Sequence, residues 1–264
     1  MFFDALAENA QLFLLIFVRI IALIQIAPLT SSSSIPQIAK IGLGLFATIA
    51  IFPTVQAIGY PIPESGLLYA GILVGEVLVG LIMGFILVVV YAAFLLAGQY
   101  FSLQMGFGAS QVFDPLAQIQ IPIMGQFINT IAMLIFVLIG GFQRIFLIGV
   151  HRSFEHVQVF DFIAGREHIF QLFLGSLGEL FKQALLISFP ILGSLFLVNV
   201  SMGLLAKAAP QMNLLMMGFP VAIGVAFIIL FLTLPFLVEA LGAVIDGGFY
   251  KILELLDAVR GAAP

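Results

Sequence analysis

Residues Val77–Phe113 read VLVGLIMGFILVVVYAAFLLAGQYFSLQMGFGASQVF, 37 consecutive positions without a charged side chain. A helix that crosses a bilayer needs only about 20 such residues. Working outward, four more charge-free runs appear: 23 residues between Lys40 and Glu64, 29 between Asp114 and Arg144, 24 between Lys182 and Lys207, and 31 between Lys207 and Glu239. The 264-residue chain is 62% hydrophobic and only 8% charged, with 9 Lys+Arg against 13 Asp+Glu. Soluble domains average about 45–50% apolar and about 25% charged residues, and a globule of this size cannot cover its surface with so few polar side chains. The expected fold class is all-α, a polytopic helical membrane protein. A membrane β-barrel would alternate apolar and polar residues in segments of about ten, which this sequence does not do.

The same composition removes whole classes of function. There is no cysteine, hence no disulfide framework and no thiolate metal site. A net charge of −4 without a basic cluster leaves nucleic acid no electrostatic footprint. Asp4 and Glu8 precede the first apolar segment without any Lys or Arg, the reverse of a signal peptide's basic start, so that segment is expected to stay as a helix. No GxSxG elbow and no GxxxxGK[ST] phosphate loop occurs. Asp114 is the only Asp between positions 5 and 160, so the paired acids of an intramembrane protease are missing. His151, Arg152, Glu155 and His156 lack the HExxH spacing of a zinc site and read as part of an aqueous segment from His151 to His168. No catalytic residue, no metal and no cofactor is expected; the chain does not read as an enzyme.

Six spans are expected: about 11–29, 39–57, 67–103, 123–150, 169–206 and a last one from the low 210s to about Leu241, followed by a fraying amphipathic tail. Pro190 falls near the middle of the fifth and should kink or break it. The third would be about 55 Å long at 1.5 Å per residue, so it must tilt, protrude or break. Between spans three and four lies Gln104–Pro122, QMGFGASQVFDPLAQIQIP, too polar for a lipid-facing helix and too apolar for a solvated loop. Irregular backbone at membrane depth survives only where protein or a water-filled cavity surrounds it. Phe107, Val112 and Phe113 are candidate sealing residues, because flexible backbone carrying bulky apolar side chains closes a pore by dewetting; Met105, Asp114 and Pro115 belong to the same candidate gate loop. A second sharp feature is the turn Lys207–Asn213, with Pro210 and Gln211 inside it. Gly71, Gly75, Gly80 and Gly84 form a small-xxx-small stripe around Glu76, a pattern that seats either a partner helix or a helix of the same chain. An ionisable group inside a membrane is costly, so Glu76 points to an ion pair, to snorkelling or to a proton path.

These pieces, MGFGASQVFDPLAQIQIP and AKAAPQMNLLMMGFP in that order and spacing, resemble the FliR/SctT family of bacterial export gates. The resemblance covers nearly the whole chain. It implies a subunit of the flagellar type III export gate, assembled with FliP and FliQ and lying near FlhB, in the bacterial inner membrane at the basal body. Unfolded flagellar proteins would be its cargo, and part of the assembly would stand on the periplasmic side. It further implies that residues 105–119 plug the closed channel and that Lys207, Pro210, Gln211 and Asn213 sit at the cytoplasmic entrance. Residues 1–165 would correspond to a FliP-like front and 166–264 to a FliQ-like helical hairpin. Membrane lipids are expected partners and nucleic acid is not. The virulence injectisome is the neighbouring alternative, and a proton-coupled transporter using Arg19, Glu76 and Glu239 is a more distant one. Orientation stays open: a six-span count of Lys and Arg puts the 207–213 tip outside, whereas the family puts it at the cytosol.

Overall fold

The computed structural model describes residues 9–106, 123–156, 166–209, 211 and 214–261. Among them there is helix and no strand: α1 (Ala10–Ile26), α2 (Gln37–Ile58), α3 (Gly66–Gln104), α4 (Ile123–Leu138), α5 (Gly141–Arg144), a π-helical stretch (Ile145–Arg152), α6 (Ser153–His156), α7 (Arg166–Ala208) and α8 (Leu214–Gly261). The protein is an all-α polytopic membrane protein. Four helices, α2, α3, α7 and α8, are long and apolar enough to cross a membrane.

The lengths depart from a plain six-span plan. α3 is unbroken over 39 residues, α7 over 43 and α8 over 48. At 1.5 Å per residue these are roughly 58, 64 and 72 Å, about twice an apolar core of about 30 Å. Pro190 does not interrupt α7, and α8 runs past 241 to Gly261 instead of fraying. The tail holds because Ile245, Phe249, Ile252, Leu255, Leu256 and Val259 are buried, a stripe at helical spacing that pins the last turns. The expected fourth span is instead two pieces, bent by 71° between Leu138 and Gly141. Gly140 at the break has φ +71°, the left-handed conformation glycine adopts without penalty. α1 has 17 residues, short for a span. His151–His156 is helical rather than a solvated loop, and Ser153 and Phe154 are buried.

The chain forms two compact units. One comprises residues 1–89, 140–176 and 245–264; the other comprises 90–139 and 177–244. Each takes residues from both sides of position 165, so compactness does not follow a front-and-back partition.

In the first unit α1 is the central element. It buries Leu12, Leu15, Ile16, Ile20 and Leu23 at three- and four-residue steps. Phe13 meets Phe52 of α2 with ring centroids 6.2 Å apart. Gly44 of α2 lets Phe17 and Ile21 approach, and a Cβ there would lie 3.3 Å from Ile21. The turn after α1 is closed by the Thr30 hydroxyl, shared between the carbonyls of Ile24 (2.7 Å) and Ala27 (2.9 Å), which satisfies acceptors a helix end leaves open.

In the second unit, α3 and α4 meet backbone to backbone. A Cβ on Gly125 would sit 2.6 Å from the Leu95 carbonyl oxygen, and one on Gly98 would collide with the Gly125 backbone. Tyr91 closes the same seam, edge-on to Phe94 and to Phe136. α7 buries Ala184, Ile187, Ile191 and Leu195, and α8 buries Ala222, Ala226, Leu230, Leu237 and Leu241. One narrow stripe per helix is therefore used inside the chain. In the most apolar 18 residues of α7 and of α8 only 22% are buried, against 56% in α3. α3 is packed by its own chain; α7 and α8 leave most of their apolar surface for lipid or other chains.

Candidate functional site

The root of the Gln104–Pro122 segment lies in the second unit. α3 ends as helices commonly do: the Met105 amide donates to the Phe101 carbonyl (2.9 Å), the Gly106 amide to that of Leu103 (3.1 Å), and Gly106 turns left-handed at φ +88°. Met105 is fully buried. The ring of Phe219 on α8 lies against Gly106, where any Cβ would run into it. Beside it, Asn199 Nδ2 on α7 donates to Gln104 Oε1 at 3.1 Å. Three helices thus fix the chain's exit from α3. Phe107, Val112, Phe113, Asp114 and Pro115 lie outside the described residues.

Of the turn that follows α7, Lys207 and Gln211 are exposed, and the Ala209 amide donates to the Leu205 carbonyl at 2.8 Å. Pro210 and Asn213 lie outside the described residues. Glu239, on α8, is exposed.

The glycine stripe divides. Gly80 and Gly84 seat α1: a Cβ on Gly80 would lie 2.9 Å from the Ala22 Cβ, and one on Gly84 would lie 3.1 Å from the Ile26 Cβ. Gly71 has nothing within 4 Å of its Cβ position. The geometry separates two outcomes. Gly80→Val should destabilise the chain by about 1–3 kcal/mol through overpacking against α1, read as a lower detergent-denaturation midpoint. Gly71→Val should leave the isolated fold within about 0.5 kcal/mol. Equal losses at both positions would contradict this division.

Glu76 is buried and paired. Arg19 Nε donates to Glu76 Oε2 and Nη2 to Oε1 (2.9 Å), a bidentate fork. Arg19 Nη1 donates to Ser153 Oγ (3.1 Å), whose hydroxyl donates in turn to the Val150 carbonyl (2.8 Å). The Tyr60 hydroxyl donates to Glu76 Oε1 (2.5 Å), and the Arg19 guanidinium lies 3.8 Å from the Phe154 ring centre. Arg19 and Glu76 are 1% and 0% exposed, so neither charge reaches water and each depends on the other. The arrangement ties α1, α3, the segment after α2 and α6 at one point. Each charge is held by its partners among the described residues.

Sequence reasoning did not pick out Asn199, Phe219, Tyr60, Ser153 or Phe154. A lone Asn in the charge-free run 183–206 was the one visible signal, since a polar side chain there needs a partner. Glu179 and Lys182, three residues apart on α7, pair at 3.3 Å as their spacing suggests.

Comparison with known proteins places this architecture. Residues 10–247 match the family described as bacterial export proteins, family 1. The flagellar biosynthetic protein FliR of Bacillus subtilis strain 168 is 34% identical over 220 residues, covering 83% of this chain and 84% of that protein. The protein of the same name from Borreliella burgdorferi is 32% identical over 232 residues, 88% and 85% of the two chains. That of Escherichia coli K12 is 27% identical over 217 residues, 82% of each. With a match across nearly its whole length and two such relatives above 30% identity, the chain belongs to the bacterial export proteins, family 1.

Proposed function

We propose that this chain is a non-catalytic structural subunit of the flagellar protein export gate, forming part of the wall of a protein-conducting channel and plugging it when closed. The observation that carries the reading is the alignment over more than four-fifths of the chain with proteins named for flagellar biosynthesis. The exposed apolar faces of α7 and α8 support an assembled rather than a solitary existence. On this reading FliP and FliQ cover those faces, FlhB lies near the Lys207–Asn213 turn at the cytoplasmic entrance, and unfolded flagellar proteins are the cargo. Residues 1–165 correspond to a FliP-like front and 166–264 to a FliQ-like hairpin. The plug is 105–119, hung from the anchored end of α3; Gly71, Gly75 and their neighbours are offered to a partner helix. The complex sits in the inner membrane at the basal body, part of it on the periplasmic side. The named relatives are flagellar, which favours the flagellum over a virulence injectisome.

Deleting the gene should abolish swimming and remove hook and filament proteins from the culture medium, with both restored by the wild-type copy. Normal motility in the deletion strain would refute the proposal. Tagged chain should also bring down FliP and FliQ from detergent extracts in fixed proportion.

A further inference from the structure

A second polar site lies in the first unit, on residues that flank Ser153 and Phe154 of the Arg19–Glu76 joint. A cavity of about 520 Å³ is lined by Arg144 at the end of α5, the π-helical stretch, Glu155 of α6 and one face of α8. Half of its ten lining residues are arginine, histidine or acidic: Arg144, His151, Arg152, Glu155 and Asp246. In a chain with 8% charged residues that concentration is not a by-product of composition. π-helix is rare and recurs at functional sites.

The charges are arranged unevenly. Arg144 is paired with Asp246. His151 Nδ1 lies 3.8 Å from Glu155 Oε1, too far for a hydrogen bond, and has no hydrogen-bond partner among the described residues. Arg152 is exposed and makes no ion pair or hydrogen bond among the described residues. Two guanidiniums face two carboxylates, so the lining is neutral with His uncharged. A simple anion would meet Glu155 and Asp246, and a simple cation would meet both arginines. A ligand carrying both signs a short distance apart meets neither penalty. Arg152 and Glu155 stand three residues apart, neighbours on the helix surface, and the Tyr250 ring, 72% exposed, offers a face to an ammonium group.

We propose that this cavity binds a zwitterionic aminophosphate, the phosphoethanolamine headgroup, with Arg152 and His151 on the phosphate and Glu155 with Tyr250 on the ammonium. The source favoured here is a membrane lipid. α8, which supplies Asp246 and Tyr250, carries a stretch apolar enough to cross a membrane, and exposed tyrosine is enriched at membrane interfaces. The site itself does not depend on the export-gate reading, which supplies only the assembled form in which the chain is tested.

The test uses the purified, delipidated complex and native mass spectrometry. Dioleoyl phosphatidylethanolamine should be retained in preference to phosphatidylglycerol. Arg152→Gln should lower retained phosphatidylethanolamine about tenfold, the size of one charge-assisted contact. Glu155→Gln should erase the preference by admitting phosphatidylglycerol. Both side chains are exposed, so the yield of assembled complex should match wild type and serves as the folding control. Binding of soluble glycerophosphoethanolamine as tight as the lipid would keep the headgroup site and move its source to solution. Equal retention of both lipids by the wild-type complex, or no effect of either variant, would overturn the site. A photocrosslinker placed at position 250 that captures only protein in cells would overturn it in favour of a partner chain.

Discussion

Excising residues 107–119 from the assembled, reconstituted complex should raise its ion conductance on the order of tenfold, because the apolar side chains that exclude water from a constriction are removed. The excision is placed so as to spare the root. Met105 stays buried, Gly106 keeps its left-handed turn against Phe219, and the Gln104–Asn199 bond is untouched. α3, α7 and α8 therefore remain tied, and the complex should purify in wild-type amount. Conductance unchanged from wild type, in a complex of normal composition, would mean that the segment does not close the channel. Single-channel recording in planar bilayers is the direct measurement, and export of a reporter substrate in cells tests whether the closed state has been lost there too.

Replacing Glu76 with Gln, or Arg19 with Met, should destabilise the first unit by about 3–5 kcal/mol, since removing one member of a buried pair strands the other charge. The expected readout is little intact chain in the membrane and a strongly lowered denaturation midpoint. The double replacement Arg19→Met with Glu76→Met should recover most of that loss, because an apolar pair of similar volume strands no charge. Recovery separates a structural joint from a coupling site. A transporter using Glu76 to move protons would stay inactive in the double variant however well it folded. Wild-type accumulation of either single variant would show that the pair bears little weight.

Much of the fold was legible because its signal is one of quantity. Charge-free runs mark helices in an apolar environment wherever they are longer than about 20 residues. What they cannot mark is where a helix stops when the run and the helix differ in length. α8 continues through Glu239, Asp246, Lys251 and Glu254 because a buried stripe on its other side holds it, and a hydropathy profile averages that stripe away. The break at Gly140 was hidden for the opposite reason: glycine inside an apolar run looks like packing until a partner or a bend gives it meaning. Among the glycines the stripe at 71–84 was visible by its regularity, but nothing local says that Gly80 seats α1 while Gly71 meets no described residue of its own chain. Gly98 and Gly125, which let α3 and α4 meet backbone to backbone, belong to no repeat. The Arg19–Glu76 pair was half visible. Each residue alone was anomalous in its apolar surroundings, and only the fold shows that one resolves the other. At the end of α3, Met105 stood out in the sequence, whereas Phe219 and Asn199 did not, because they come from helices about a hundred residues away.

The length of α8 has a consequence for how the chain enters a bilayer. Its charge-free portion, residues 214–238, is roughly 38 Å of continuous helix at 1.5 Å per residue, longer than an apolar core of about 30 Å, so several registers along it satisfy the hydrocarbon equally well. Depth is then undetermined by the polypeptide itself. In the proposed assembly, neighbouring subunits would fix that depth on docking and so decide which turns meet oil.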